Sequence, residues 1–287
     1  MIVVSGEALM DVFTAGDTPT GMALDARIGG SPLNVAIGLA RLKQPVAFFG
    51  GLSKAALGER IARALHDEGV SLGCAVRLDA PTTISLVDLD ARGVPAYAFY
   101  GEGAADRSLP LAALQAVPAA AAYHFGSYAM VVEPVASVQR ALVEREHARA
   151  VIAYDPNIRL NVEPELSRWH DTLAWMLPRT QVLKVSDEDL HLLFPGVEPA
   201  ELAARWLQEG VALVVVTRGA QGASAWTAHH HVAVGSVVVQ VIDTVGAGDT
   251  FQAALLTALA ERGLLSAAAL RGLGADVLKD VIAFAAR

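Results

Sequence analysis

The residues with the most chemical content lie late in the chain, in Asp243-Thr244-Val245-Gly246-Ala247-Gly248-Asp249. They follow a strand-like run, Val237–Ile242, and lead into an amphipathic pattern, Thr250–Glu261. Two glycines let the backbone turn tightly and aim N–H groups at one point. The helix start adds partial positive charge, so the segment reads as an anion hole. Asp249 beside it has two readings. It can cap the helix, or it can take the proton from an attacking hydroxyl at a phosphoryl-transfer site. The double-glycine loop favours the second, because a carboxylate at a plain pyrophosphate site would repel its ligand.

Competing phosphate motifs are missing. Lys43, Lys54, Lys184 and Lys279 are the lysines, and none follows a glycine, so there is no P-loop. The His-Arg-Asp loop of protein kinases is absent too. A dinucleotide-binding loop would need a third glycine where Phe251 stands, and it would belong near the start of the chain. Further candidates sit at the ends of strand-like runs. Gly29-Gly30 precedes a helix and lets backbone approach a ligand closely, and Asn34 offers an amide that can bridge two sugar hydroxyls. Asp155-Pro156-Asn157-Ile158-Arg159 leaves a strand end, where Arg159 could meet phosphate oxygens or a substrate hydroxyl. Lys184-Val185-Ser186-Asp187-Glu188 leaves another, and Ser186 with Asp189 fits a capping box. Thr217-Arg218-Gly219-Ala220-Gln221-Gly222 is a third strand-end turn. His229-His230-His231 reads as a solvated hairpin tip rather than a metal site, since no acidic or cysteine partner completes a ligand pattern.

These residues need a scaffold, and the hydrophobic pattern supplies one. Strand-like runs at Ile2–Val4, Val46–Phe49, Ala121–Phe125, Ala150–Tyr154, Gln181–Val185 and Leu213–Val216 alternate with helical patterns at Pro32–Leu42, Leu57–Glu68, Pro134–His147, Glu165–Leu177 and Ala200–Glu209. That alternation predicts an α/β fold with a mostly parallel sheet covered on both faces. Two stretches depart from it. Thr82 to Tyr100 reads as two strands around the turn Asp90-Ala91-Arg92-Gly93, and Val12 to Ile28 is short, turn-rich and partly strand-like. Together they predict a small antiparallel sheet able to close over a ligand. Composition bounds the rest. The 287 residues are 53% hydrophobic and 18% charged, which excludes disorder. The net charge of −8 argues against a nucleic-acid partner. A lone cysteine, Cys74, excludes an internal disulfide and multi-cysteine metal sites. The apolar stretch Leu109–Val132 is broken by Gln115, Pro118, His124 and Gly126, so no membrane association is expected, and the absence of a charged leader points to the cytoplasm.

Taken together, the motifs resemble those of the PfkB carbohydrate kinases, the ribokinase-like family. Asp243 to Asp249 looks like the C-terminal signature, Gly29-Gly30-Ser31-Pro32-Leu33-Asn34-Val35-Ala36 like the N-terminal one, and Gly6-Glu7-Ala8-Leu9-Met10-Asp11 like the opening strand with its sugar-binding aspartate. The resemblance implies a ribokinase-like three-layer sandwich: one domain over residues 1–287, with a discontinuous antiparallel β lid from about 12–28 and 82–100. It implies an ATP-dependent kinase that phosphorylates a primary hydroxyl of a sugar. Asp249 would be the base, and the amides of Gly246, Ala247 and Gly248 would stabilise the transferring phosphoryl group. Asp11, Gly30 and Asn34 would hold sugar hydroxyls. Lys184 would lie near the ATP phosphates, Glu188 near the Mg²⁺ shell, and Thr217, Gly219 and Gly222 would serve ATP. Asp243 would contribute to a K⁺ site. The family pattern adds a further short helix beyond the helix that ends here at Arg287, carrying part of the adenine pocket and of the cation site.

The sugar can be narrowed. Ribokinases usually have Lys-Gly after the double glycine. Here Ser31-Pro32 follows, as in fructokinases and 2-keto-3-deoxygluconate kinases. Kinases of acid sugars tend to place an arginine after the lid aromatics. Here Tyr97, Phe99 and Tyr100 are followed by Gly101-Glu102, and a glutamate would repel a carboxylate. D-fructose is therefore expected, with 2-keto-3-deoxygluconate and ribose as alternatives and Tyr97, Phe99 and Arg159 on the substrate. A non-catalytic sugar sensor on the same fold would be expected to lose the base, and Asp249 is present. An exposed lid face also implies a homodimer formed through the lid.

Overall fold

In the computed structural model, residues 1–89, 95–237 and 246–287 are described, with the backbone alone described at 88, 89 and 95–97. The expected turn at Asp90–Gly93, most of the strand at Val237–Ile242, Asp243 and the Tyr97 side chain lie outside the described residues.

The chain opens with β1 (Ile2–Ser5), β2 (Leu9–Thr18), β3 (Gly21–Gly29), α1 (Ser31–Arg41), β4 (Val46–Phe49), β5 (Gly51–Ser53), α2 (Ala56–Asp67) and β6 (Val76–Leu78). It continues through β7 (Ile84–Leu89), β8 (Pro95–Tyr100), β9 (Ala122–Gly126), α3 (Val135–Glu146), β10 (Val151–Asp155), α4 (Leu166–Met176), β11 (Val182–Ser186) and α5 (Asp187–Leu193). It ends with α6 (Pro199–Gln208), β12 (Leu213–Thr217), β13 (Ala223–Trp226), β14 (His231–Val234), α7 (Ala247–Glu261), α8 (Ala267–Arg271) and α9 (Ala275–Ala285).

The large sheet has the order β14-β13-β12-β11-β10-β9-β1-β4. From β12 to β4 every pairing is parallel, while β13 and β14 form an antiparallel edge. Alternate side chains of these strands enter two different cores, as a pleated strand requires. Val4, Phe48, Ala153 and Val215 face one layer with α1, α2, α7 and α9. Val3, Phe49, Tyr154 and Val214 face the other with α3, α4 and α6. A sheet buried on both faces explains why the central strands read as uninterrupted apolar runs.

The two irregular stretches do form a separate sheet, with the order β3-β2-β7-β8. β2 with β3 and β7 with β8 are antiparallel hairpins, and β2 with β7 joins them in parallel. The stretch read as partly strand-like is thus two long strands; a register shift between Thr14 and Asp17 absorbs the irregularity in its sequence. β5 and β6, a short parallel pair, carry no sequence signal strong enough to predict them. At the β13–β14 hairpin the Thr227 hydroxyl accepts from the amides of His229 and His230, and the His231 ring stacks on Trp226.

Candidate active site

In an open parallel sheet, ligands bind beyond the C-terminal strand ends where the strand order reverses. Here that point lies between β1 and β9, because the chain winds outward to β4 on one side and toward β12 on the other. Gly6-Glu7 and Gly126-Ser127 leave the two strands there. The small sheet stands at the same end, since β2 begins at Leu9, four residues after β1 ends at Ser5.

Asp249 occupies the third position of α7. The residue before the helix is Gly246, with φ of 76°, and no side chain caps that end. The cap reading of Asp249 therefore fails, and its carboxylate turns instead to α1. Oδ1 accepts a hydrogen bond from Ser31 Oγ at 2.6 Å and Oδ2 one from Asn34 Nδ2 at 2.8 Å. Both donors hold an acceptor, so the arrangement suits a carboxylate that must keep a lone pair aimed outward. The approach of the helices makes this possible: a Cβ at Gly38 on α1 would lie 2.7 Å from the Ala253 Cβ on α7. The first amides of α7 have no partner inside the helix, which leaves the N–H groups of residues 247–249 for an anion.

Lys184, on β11, is buried at 4% exposure, and its Nζ donates to Asp155 Oδ2 at 2.8 Å. A side chain at Gly248 would meet that Nζ at 3.0 Å, so glycine there lets the ammonium reach the start of α7. Burial favours the neutral amine, but Asp155, with Asp249 and Asp189 beyond it, outweighs burial and holds Lys184 charged, above the usual lysine range. Burial raises the Asp155 carboxyl, and Lys184 opposes the rise. The second oxygen of Asp155 is buried without a partner.

Of the residues expected on the sugar side, Asp11 and Phe99 share one face of the small sheet. Strand register aligns Asp11 with Ser85 and Ser85 with Phe99. The Asp11 carboxylate lies against Gly29 and leaves no room for a side chain there. Gly30, with φ of 113°, begins α1, and a Cβ on it would come within 2.8 Å of the Glu7 carbonyl. Burial raises the Asp11 pKa; the Ser85 hydroxyl and the Arg159 charge oppose it, and Asp249 adds to it. Asp11, Arg159 and Asp249 thus share one electrostatic neighbourhood. Arg159 itself is exposed, with Nη1 donating to the Ile158 carbonyl at 2.9 Å.

Other expected residues are placed differently. Glu188 is exposed in the first turn of α5, whereas its neighbour Asp189 is buried, with Oδ1 accepting from the Ile158 amide at 3.1 Å. The Ser186 cap of α5 forms as expected, through the Asp189 amide, and that cap fixes which acidic residue turns inward. Thr217 ends β12 beside Ser186, and Gly219 and Gly222 take φ of 49° and 86° in the turn that follows. Ser31 and Asp189 are the contributors that the reading of functional residues passed over. A Ser directly after a double glycine at a helix start was the available signal for the first.

The chain as a whole is similar to known sugar kinases. A fructokinase of Rhizobium leguminosarum bv. trifolii is 36% identical over 281 residues, covering 98% of this chain and 86% of that protein. The structure of a Xylella fastidiosa fructokinase with bound ATP superposes with a TM-score of 0.87 at 28% identity, covering 99% of this chain and 89% of that one. A fructokinase double mutant of Vibrio cholerae O395, in its fructose-, ADP- and potassium-bound form, does so at 0.82 and 26% identity, covering 99% and 89%. The sequence profile described as pfkB family carbohydrate kinase matches residues 1–276, and the chain belongs to the pfkB family of carbohydrate kinases.

Proposed function

We propose that the protein transfers the γ-phosphoryl group of ATP to a primary hydroxyl of D-fructose in the cytoplasm. The observation that carries this reading is Asp249, held by Ser31 and Asn34 at the start of α7 beside a charged Lys184. The fructokinase relatives support the choice of sugar. Asp249 takes the proton of the attacking hydroxyl, which needs a base within hydrogen-bond reach. The amides of Gly246, Ala247 and Gly248 and the Lys184 ammonium hold the transferring group, whose catalysis is mainly positioning and charge stabilisation. Asp11, Gly30, Asn34, Tyr97, Phe99 and Arg159 contact the sugar; Thr217, Gly219 and Gly222 contact the nucleotide. Mg²⁺ would neutralise the charge of the phosphates, and Asp155, one oxygen of which is buried without a partner, would help to hold it. Asp243 and its loop would hold K⁺. The small sheet, over residues 12–28 and 82–100, is the lid of a single domain and excludes water as a competing acceptor.

A second copy covers the outer face of the lid. Met22, Leu24 and Tyr100 are 61%, 52% and 63% exposed, and Leu24 and Tyr100 lie on the face opposite Asp11. Among the described residues no helix is long and apolar enough to cross a membrane.

One observation keeps 2-keto-3-deoxygluconate as a second reading. The Arg107 guanidinium fills the space beside Gly101, and its Nε and Nη2 are buried without partners. An acid sugar would find a cation there. Coupled ADP release across fructose, 2-keto-3-deoxygluconate and ribose tests the choice. The highest kcat/KM is expected with fructose, and a preference for the acid sugar would overturn it. Equal rates in K⁺ and Na⁺ would reject the cation site, and a monomer by light scattering at micromolar concentration would reject the dimer.

A further inference from the structure

The small sheet meets the main body at a buried carboxylate that takes no part in the chemistry above. Asp106 lies in a short 3₁₀ turn, Ala105–Arg107, and is 1% exposed. Its Oδ1 accepts from Thr83 Oγ1 at 2.6 Å, and its Oδ2 accepts from Tyr128 OH at 2.9 Å. Thr83 is the residue before β7, where the chain enters the second hairpin of the small sheet. Its carbonyl also accepts from the Met10 amide of β2 at 3.0 Å. Tyr128 follows β9 and presents its ring edge-on to Phe99, with centroids 6.3 Å apart. Phe99 shares its strand row with Ser85 and Asp11. The exit of the hairpin lands on the same turn: Arg107 lies over the Tyr128 ring, 5.1 Å from its centroid, and fills the space beside Gly101. The Ala105 amide donates to the Pro81 carbonyl at 2.8 Å.

We propose that Asp106 is a positioning residue for sugar binding: by holding Thr83 and Tyr128 at once, it fixes the row Asp11–Ser85–Phe99 in the orientation that receives the sugar. Charge-assisted bonds from two hydroxyls orient both partners more tightly than neutral ones would. The carboxylate touches neither substrate nor reacting atoms, so its loss acts on sugar affinity and leaves the phosphoryl site alone. This rests on the sugar-kinase reading with fructose as acceptor.

The test cuts one arm at a time in the full-length enzyme. Thr83→Val removes the hydroxyl at nearly constant volume, and Thr83→Ser keeps it. Thr83→Val is expected to raise KM for fructose roughly tenfold, the scale of one hydrogen bond to a charged group. KM for ATP should be unchanged, kcat should stay within about twofold, and the β7 amides should exchange faster with deuterium. Thr83→Ser should restore all of these. Tyr128→Phe should give a similar rise, and the double variant should be less than additive, because both arms act through one carboxylate. An unchanged KM for fructose, an equal rise in both KM values, or no rescue by serine would overturn the proposal. A wild-type enzyme inactive on fructose would overturn the substrate reading instead. The exchange comparison needs no sugar and would still decide whether Thr83 anchors the sheet.

Discussion

Asp249 and Asp106 are nearly the same object in hydrogen-bond terms. Each is a buried aspartate whose two oxygens accept one side-chain donor apiece, Ser31 and Asn34 for the first, Thr83 and Tyr128 for the second. Their surroundings divide them. Asp249 sits in the first turn of a 15-residue helix, among amides that have no helical partner, with the Lys184 ammonium beside Gly248. Asp106 sits in a 3-residue turn, closed in by the root of the small sheet. On the proposed mechanism, the field and the access around Asp249 make it the base, and the same bonding in a closed place makes Asp106 a fastener.

The largest effect is expected from Asp249→Asn. Asn keeps the size and one acceptor, so thermal unfolding should shift little. Loss of the base should lower kcat by about 10²–10⁴-fold. Retention of more than about a tenth of wild-type kcat would overturn the assignment of Asp249 as the base.

Lys184→Met tests whether the field at α7 is also part of the fold. It leaves Asp155 buried and unpaired, which typically costs about 3–5 kcal/mol. The loss, read from urea unfolding, should be larger at pH 8 than at pH 6, because protonation relieves the stranded carboxylate at lower pH. Equal stability to wild type would show that the pair is dispensable to the fold.

Ser31→Ala removes one of the two side-chain donors to Asp249. One bond to a charged acceptor is worth about 1.5–3 kcal/mol. A drop in kcat of roughly tenfold or more, with little change in KM for either substrate, is expected if the bond aims the base. A change confined to stability would show that the bond supports the fold and does not aim the base.

The smallest expected effect, per unit of pH, belongs to Glu7, which lies between the two regions and is 1% exposed. Burial pushes its carboxyl up to about 8 from 4.5; Ser127 and Arg159 oppose the rise, and Asp106 adds to it. Between about pH 5 and 8 the unfolded chain therefore gives up this proton while the folded chain keeps it. The folded state loses about 1.4 kcal/mol per pH unit across that window, and the loss levels off above it. Glu7→Gln should remove the slope. Parallel stability–pH curves for wild type and variant would show that Glu7 ionises normally.

Much of the site was legible because its chemistry is local. Gly246, Ala247, Gly248 and Asp249 are contiguous, and a glycine turn followed by a helix start makes an anion site wherever the chain places it. Glu188 shows the limit of local reading. Three acidic residues, Asp187, Glu188 and Asp189, stand side by side in the first turn of α5, and sequence marked Glu188, which the helix turns to solvent. The Ser186 cap sets the phase of that turn and buries Asp189 instead.

The sequence alone was enough for the alternation of strands and helices, the parallel sheet, the Thr82–Tyr100 hairpin and the glycine-lined helix start. Each of these follows from periodicity or from backbone freedom within a few residues. Only the tertiary structure decided which groups meet across long separations: Ser31 with Asp249, 218 positions apart, Lys184 with Asp155, and Thr83 with Asp106 and Tyr128. These contacts depend on how closely α1 crosses α7 and on how the small sheet is rooted beside β9. Packing sets both, and packing is a property of the whole fold.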